Sequence, residues 1–147
     1  MSYYKQNLDK LVECLKKSGV VVFPTETVYA LACDITNQDA VNKLYQIKQR
    51  SLDKPFAVLM SSIEMADEYV DISEAAKLFI KKYSPGPMSY VLPLKGGVKV
   101  VESITKNKTL AIRIPLHDVA LDILHAYGKP LVGTSVNLSS EKSATSI

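Results

Sequence analysis

Tryptophan is absent from the 147 residues, and cysteine and histidine occur only twice each. Cys14 and Cys33 lack Cys-x-x-Cys spacing and sit among apolar neighbours. They read as reduced packing residues, which excludes a disulfide framework and a redox centre. His117 and His125 would lie two turns apart on one helix, about 12 Å along its axis. One metal ion cannot span that, so no zinc site is expected. No apolar run approaches the ~20 residues that cross a bilayer. The opening Met-Ser-Tyr-Tyr-Lys-Gln-Asn has no basic stretch followed by an apolar one, so it is not a secretory signal. The chain is read as soluble and cytoplasmic, without a membrane partner.

Familiar chemistry is missing too. The sequence has neither the Gly-x-x-x-x-Gly-Lys-Ser/Thr phosphate loop nor the Gly-x-Gly-x-x-Gly dinucleotide turn. Gly133-Thr-Ser-Val-Asn137 matches a hydrolase nucleophile elbow only in its first three positions, and neither histidine has an evident route to Ser135. No acidic pair has the spacing of a metal or glycosidase site. No protein nucleophile or catalytic acid–base pair is therefore assigned.

What is present is enough for one real core, with 47% apolar and 22% charged residues. Residues 1–147 read as a single domain without repeats or linkers. The net charge of +3 is unevenly placed: residues 1–83 carry 11 basic and 11 acidic side chains, residues 84–147 carry 7 and 4. A basic half fits an anionic partner, either nucleotide phosphates or RNA.

Leu8, Leu11, Val12 and Leu15 repeat at helical spacing, and Gly19 is expected to close that helix. Val20–Phe23 is a short apolar run stopped by Pro24, the pattern of a buried strand. Asn37, Ser62 and Ser73 are expected helix N-caps. Phe56–Met60, Met88–Leu94, Leu110–Ile114 and Leu131–Thr134 read as strands. Lys95-Gly-Gly97 is expected to turn the chain so that Val98–Val101 returns as a hairpin partner. A helix from Asp118 to Tyr127 should end at Gly128. Strands alternating with helices, plus a hairpin, predict an α/β domain with a mixed sheet flanked by helices. The tail 139–147 is polar, without apolar periodicity, and is expected to be mobile.

Polar clusters fall at strand ends, where open α/β sheets bind ligands. Pro24-Thr-Glu-Thr-Val-Tyr29 offers two hydroxyls, a carboxylate and a phenol. Lys48, Arg50 and Lys54 place three cations between a helix and a strand, which suits a polyphosphate or simply favours the helix C-terminus. Ser84-Pro-Gly-Pro87 fixes a turn. Arg113, flanked by isoleucines, must face water or a buried anion. Thr134, Ser135 and Asn137 can donate to phosphate oxygens.

Together and in this order, Pro24-Thr-Glu-Thr-Val-Tyr, Lys48-x-Arg50, Lys54-Pro55, Ser84-Pro-Gly-Pro87, Arg113-x-Pro115 and Thr134-Ser-x-Asn137 resemble the signature of the YrdC-like threonylcarbamoyl-adenylate synthases. The match runs from about residue 10 to residue 138. The resemblance implies a twisted YrdC/RibB-like sheet with a basic concave face. It implies a nucleotidyltransferase that joins L-threonine, bicarbonate or CO2, and ATP into threonylcarbamoyl-adenylate and pyrophosphate. The product would pass to the threonylcarbamoyl transferase machinery that modifies tRNA position 37. Carried over, Lys48, Arg50, Ser84, Ser135 and Asn137 would hold ATP, with Mg²⁺ on its phosphates. Thr25, Tyr29, Lys54 and Arg113 would line the threonine pocket. A non-catalytic double-stranded RNA or tRNA binder is the alternative. The carbamoyl-adenylating relative of hydrogenase maturation is disfavoured, since its acyl-phosphatase and zinc-finger segments are missing. Three departures stand out: Ala30 where the motif usually has Gly, Val136 where it has Ala, and a chain some tens of residues shorter than the family's.

Overall fold

The structure is a computed structural model that describes residues 3–137. The tail 139–147 lies outside them. In chain order the elements are α1 (Tyr3–Gln6), α2 (Leu8–Lys16), β1 (Val21–Pro24), β2 (Tyr29–Asp34), α3 (Gln38–Lys48), β3 (Ala57–Leu59), α4 (Ile63–Asp67), α5 (Glu74–Tyr83), β4 (Tyr90–Pro93), β5 (Thr109–Arg113), α6 (Asp118–Tyr127) and β6 (Leu131–Ser135). A short 3-10 turn, Glu102–Ile104, precedes β5.

The expected caps form. Asn37, Ser62 and Ser73 accept from the backbone N–H groups of Ala40, Met65 and Ala76, each satisfying a donor that the first helical turn leaves open. Gly128 ends α6 at φ 77°, where a side chain would be strained. At α2 Gly19 does close the helix, its N–H donating to the Cys14 carbonyl at 2.8 Å, but not by the expected geometry. Ser18, not Gly19, takes the left-handed conformation (φ 64°). Gly19 serves by having no side chain, because a Cβ there would collide with Cys14.

The six strands form one mixed sheet in the order β1-β2-β6-β3-β5-β4, with β3 and β5 parallel and the other neighbours antiparallel. Two corrections follow. Residues 29–34, for which the sequence pattern predicts no element, are a strand that is buried from Ala30 to Asp34. Val98–Val101 do not return as a hairpin partner of Met88–Leu94; β4 pairs with β5 instead. The intervening loop is tied elsewhere, by the N–H of Val101 donating to the Ile35 carbonyl at 2.9 Å.

The sheet's two faces differ. One face, with Leu31, Cys33, Val58, Leu110, Ile112 and Val132, packs against Ala40, Val41, Leu44 and Tyr45 of α3 and Ile80 of α5. On the other face, Val21, Phe23, Ala30, Ala32, Leu59 and Leu131 are covered by Leu15 of α2 and by Ala120, Ile123 and Leu124 of α6. That second cover stops part-way across. Gly133, Ala57, Ala111 and Val91 lie on one transverse row of the same face. There the alanines are only half-buried and Val91 is 68% exposed. The uncovered part is a shallow floor of small side chains. A Cβ at Gly133 would strike the Leu59 side chain at 2.6 Å, so glycine lets Leu59 lie over the strand.

Candidate functional site

The first polar group gathers where α3 ends. Lys48 is the last residue of α3, and Gln49 follows in the left-handed conformation (φ 50°), which turns the chain so that Arg50 comes back toward the sheet. Two residues apart on a continuing helix, Lys48 and Arg50 would point in different directions. The break in the helix removes that obstacle. Lys48, Gln49, Arg50, Ser51, Lys54, Thr134, Ser135 and Asn137 line a polar cleft of about 470 Å³.

Lys48 is 2% exposed. Its Nζ donates to the Ser135 carbonyl (2.7 Å) and to Asn137 Oδ1 (2.6 Å), and lies 3.5 Å from Ser135 Oγ. Every one of these acceptors is neutral, and among the described residues no carboxylate lies within ion-pair distance. Burial, followed by the neighbouring Arg50 charge, pushes the Lys48 ammonium below its ordinary pKa. Arg50 is held by its own loop. Its Nε donates to the Lys54 carbonyl (3.1 Å), an Nη to the Pro55 carbonyl (2.9 Å), and its plane lies 4.8 Å over the Phe56 ring. Two fixed cations without a carboxylate make a site that favours a multiply charged anion.

The second polar group surrounds Arg113 at the end of β5. Its sequence posed two options, water or a buried anion, and the structure supplies the anion. Glu26, from the loop between β1 and β2, forms an ion pair with the guanidinium, the Arg113 and Glu26 side chains being 15% and 18% exposed. Arg113 Nε donates to the Gly86 carbonyl (3.1 Å), and an Nη lies 3.3 Å from Thr27 Oγ1. Glu26 Oε2 also accepts the Leu116 N–H. Arg113 thus ties together three segments, 25–28, 84–87 and its own strand end. Burial lowers the Arg113 pKa as well, though the group stays a cation at any ordinary pH.

The two groups are joined. Val136, between Ser135 and Asn137, donates its N–H to the Tyr29 carbonyl (3.1 Å). Thr25 Oγ1 donates to the Val28 carbonyl (2.7 Å) and lies 3.1 Å from Thr27 Oγ1, which meets Arg113. A continuous series of contacts therefore runs from Lys48 to Arg113.

Of the residues singled out from sequence, Lys48, Arg50, Ser135 and Asn137 come together. Lys54, expected beside the amino-acid pocket, lines their cleft. Thr25, Tyr29 and Arg113 belong to the second group. Ser84 lies in the segment that Arg113 holds through Gly86, but its own contacts are elsewhere. Its hydroxyl lies 3.0 Å from the Tyr90 hydroxyl, and it borders a separate, mainly apolar cavity of about 310 Å³ with Ser61, Ser62, Ile80, Ile114 and Leu121. Glu26, Thr27 and the Gly86 carbonyl carried no individual role in the sequence reading. The available signals were the carboxylate in the Pro24–Tyr29 cluster and the charge on Arg113, which left water or a buried anion open.

The family model described as telomere recombination (Sua5/YciO/YrdC) matches residues 13–147. The threonylcarbamoyl-AMP synthase of Psychromonas ingrahamii is 34% identical over 145 residues, covering 97% of this chain and 75% of that protein. That of Xanthomonas campestris pv. campestris is 36% identical, covering 95% and 76%. The crystal structure of P. abyssi Sua5 complexed with L-threonine superimposes with a TM-score of 0.90 at 30% identity, over 97% of this chain. The chain spans about three quarters of those synthases but only 42% of the P. abyssi protein.

Proposed function

Because the chain belongs to the Sua5/YciO/YrdC family, we propose that it is an L-threonylcarbamoyl-adenylate synthase. It joins L-threonine, bicarbonate or CO2, and ATP, and releases pyrophosphate. The observation that carries this reading is the pairing of an uncompensated cation cleft at Lys48 with a neighbouring carboxylate-binding geometry at Arg113. In this reading Lys48 and Arg50 hold ATP phosphates, with Ser135, Asn137 and Lys54 beside them. Arg113 takes the threonine carboxylate, with Thr25, Thr27 and Tyr29 along the wall.

In the reaction, a carboxylate oxygen of N-carboxylated threonine attacks the α-phosphorus of ATP. An O–P bond forms, and the bond to the β-phosphate oxygen breaks as pyrophosphate leaves. Both partners are anions, so the protein's task is to bring them together and to stabilise charge on the phosphorus oxygens. Fixed cations and hydroxyls do this without a protein nucleophile. Mg²⁺ enters this reading as part of the nucleotide. The cleft's donors are cations, hydroxyls and an amide, and among the described residues no three His, Cys, Asp or Glu side chains gather to hold a metal. The product's recipient would be the machinery that modifies tRNA position 37. The RNA-binding alternative gains no support from the relatives, which are named as synthases.

The test is pyrophosphate release from ATP by the chain, with and without threonine and bicarbonate. Release that requires both is expected. Release without threonine, or none with all three present, contradicts the proposal.

A further inference from the structure

Glu26 has no part in the reading above, yet it holds the group assigned to the substrate carboxylate. Its Oε1 is enclosed and faces the Arg113 guanidinium without an aligned hydrogen bond, while Oε2 takes the Leu116 N–H. A carboxylate can accept about four hydrogen bonds, so Glu26 has capacity for a further donor once its pair with Arg113 opens.

Consider what an incoming ligand does to this ion pair. A simple carboxylate that takes the guanidinium leaves Glu26 partly buried and unpaired, and an uncompensated buried charge is costly. An α-amino acid carries an ammonium two bonds from its carboxylate carbon. Inserted between Arg113 and Glu26, it answers both partners and exchanges one ion pair for two. Resting on the assignment of Arg113 to the threonine carboxylate, we propose that Glu26 receives the substrate's ammonium, so that the Glu26–Arg113 pair selects zwitterionic α-amino acids over other carboxylates. Discrimination of this polar kind is strong, because the wrong ligand strands a buried group. Thr27, beside Arg113 and hydrogen-bonded to Thr25, fixes the loop that carries Glu26.

The experiment compares calorimetric binding of L-threonine with that of 3-hydroxybutyrate of matching configuration, which is threonine without its amino group. The unmodified chain should bind threonine at least tenfold more tightly. Equal affinities for the two ligands overturn the proposal without any variant. Glu26→Gln is nearly isosteric and keeps an oxygen for the Leu116 N–H. It should weaken threonine about tenfold while leaving 3-hydroxybutyrate unchanged or tighter, and Glu26→Asp should restore part of the difference. Loss of both ligands to the same degree gives Glu26 a purely structural role. Equal gain of both makes it a mere competitor for Arg113, and either result overturns the assignment. Failure of the unmodified chain to bind threonine at all would instead overturn the synthase reading beneath it.

Discussion

Lys48 and Arg113 are both cations withdrawn from water at the rim of one sheet, but their surroundings are opposite. Lys48 is met by a carbonyl, an amide oxygen and a hydroxyl, all neutral. Arg113 is met by a carboxylate. A buried charge without a counter-charge is a standing cost to the fold, and an arriving anion relieves it. A buried charge already paired gains nothing from an anion alone, only from a ligand that serves both partners. In the proposed reading, the contrast separates a phosphate site from an amino-acid site within one continuous series of contacts.

Breaking the first side should give the largest effect. Lys48→Ala combined with Arg50→Ala removes two charge-assisted contacts worth ~1.5–3 kcal/mol each. ATP affinity should then fall by about a hundredfold or more in calorimetry on the folded variant, with threonine affinity little changed.

The same contrast predicts a pH dependence. The Lys48 pKa is lowered by burial, and a phosphate beside it favours the protonated form. ATP binding should therefore weaken as pH rises through that lowered value, before an ordinary lysine would lose its proton at about 10.4. Lys48→Met should abolish this limb of the pH profile. An unchanged limb would place the titrating group elsewhere.

A third charge serves as a control for the idea that an uncompensated buried group implies a ligand. Asp34, 4% exposed, is also answered by neutral donors, namely the Thr36 N–H and hydroxyl (2.7 Å each) and the Tyr127 hydroxyl. Here the donors belong to the fold and tie the end of α6 to β2. Burial and Asp34 together push the Tyr127 phenol well above its ordinary pKa. Tyr127→Phe should cost about 1–2 kcal/mol in denaturant unfolding and leave both ligand affinities unchanged.

The smallest effect concerns the two thiols. Burial, with Asp34 adding to it, raises the Cys33 pKa to about 12, and thiol reactivity follows the thiolate. Near pH 8 in the folded protein, Cys14 should react with a maleimide while Cys33 stays protected. Equal labelling would mean the sheet opens there.

Much of this was legible before the fold. The caps at Asn37, Ser62, Ser73 and Gly128 are local chemistry, and local chemistry can be read from a few residues. The strands built on apolar runs, such as Leu110–Ile114, were equally plain. β2 was missed because Tyr29-Ala-Leu-Ala-Cys-Asp34 is buried on both faces and shows neither alternation nor β-branched residues. The false hairpin at 98–101 failed because β4 finds its partner beyond a long loop, and pairing at such a distance leaves no local mark. Lys48-x-Arg50 announced a cation site, but the turn at Gln49 that makes it converge did not show. For Arg113 the sequence left water or a buried anion open, and nothing local could match it to Glu26, which sits on a loop far away along the chain.

In the proposed site Lys48 and Arg113 answer to different ligands, and Arg113→Lys tests that division most directly. The substitution keeps the charge and removes the planar fork that pairs with a carboxylate. ATP and threonine should each be titrated separately into the variant and the unmodified chain. Threonine affinity should fall about tenfold, equivalent to ~1.4 kcal/mol, while ATP affinity in the absence of threonine stays where it was. Loss of ATP to the same degree as threonine would make Arg113 a phosphate ligand and contradict the division between the two sites.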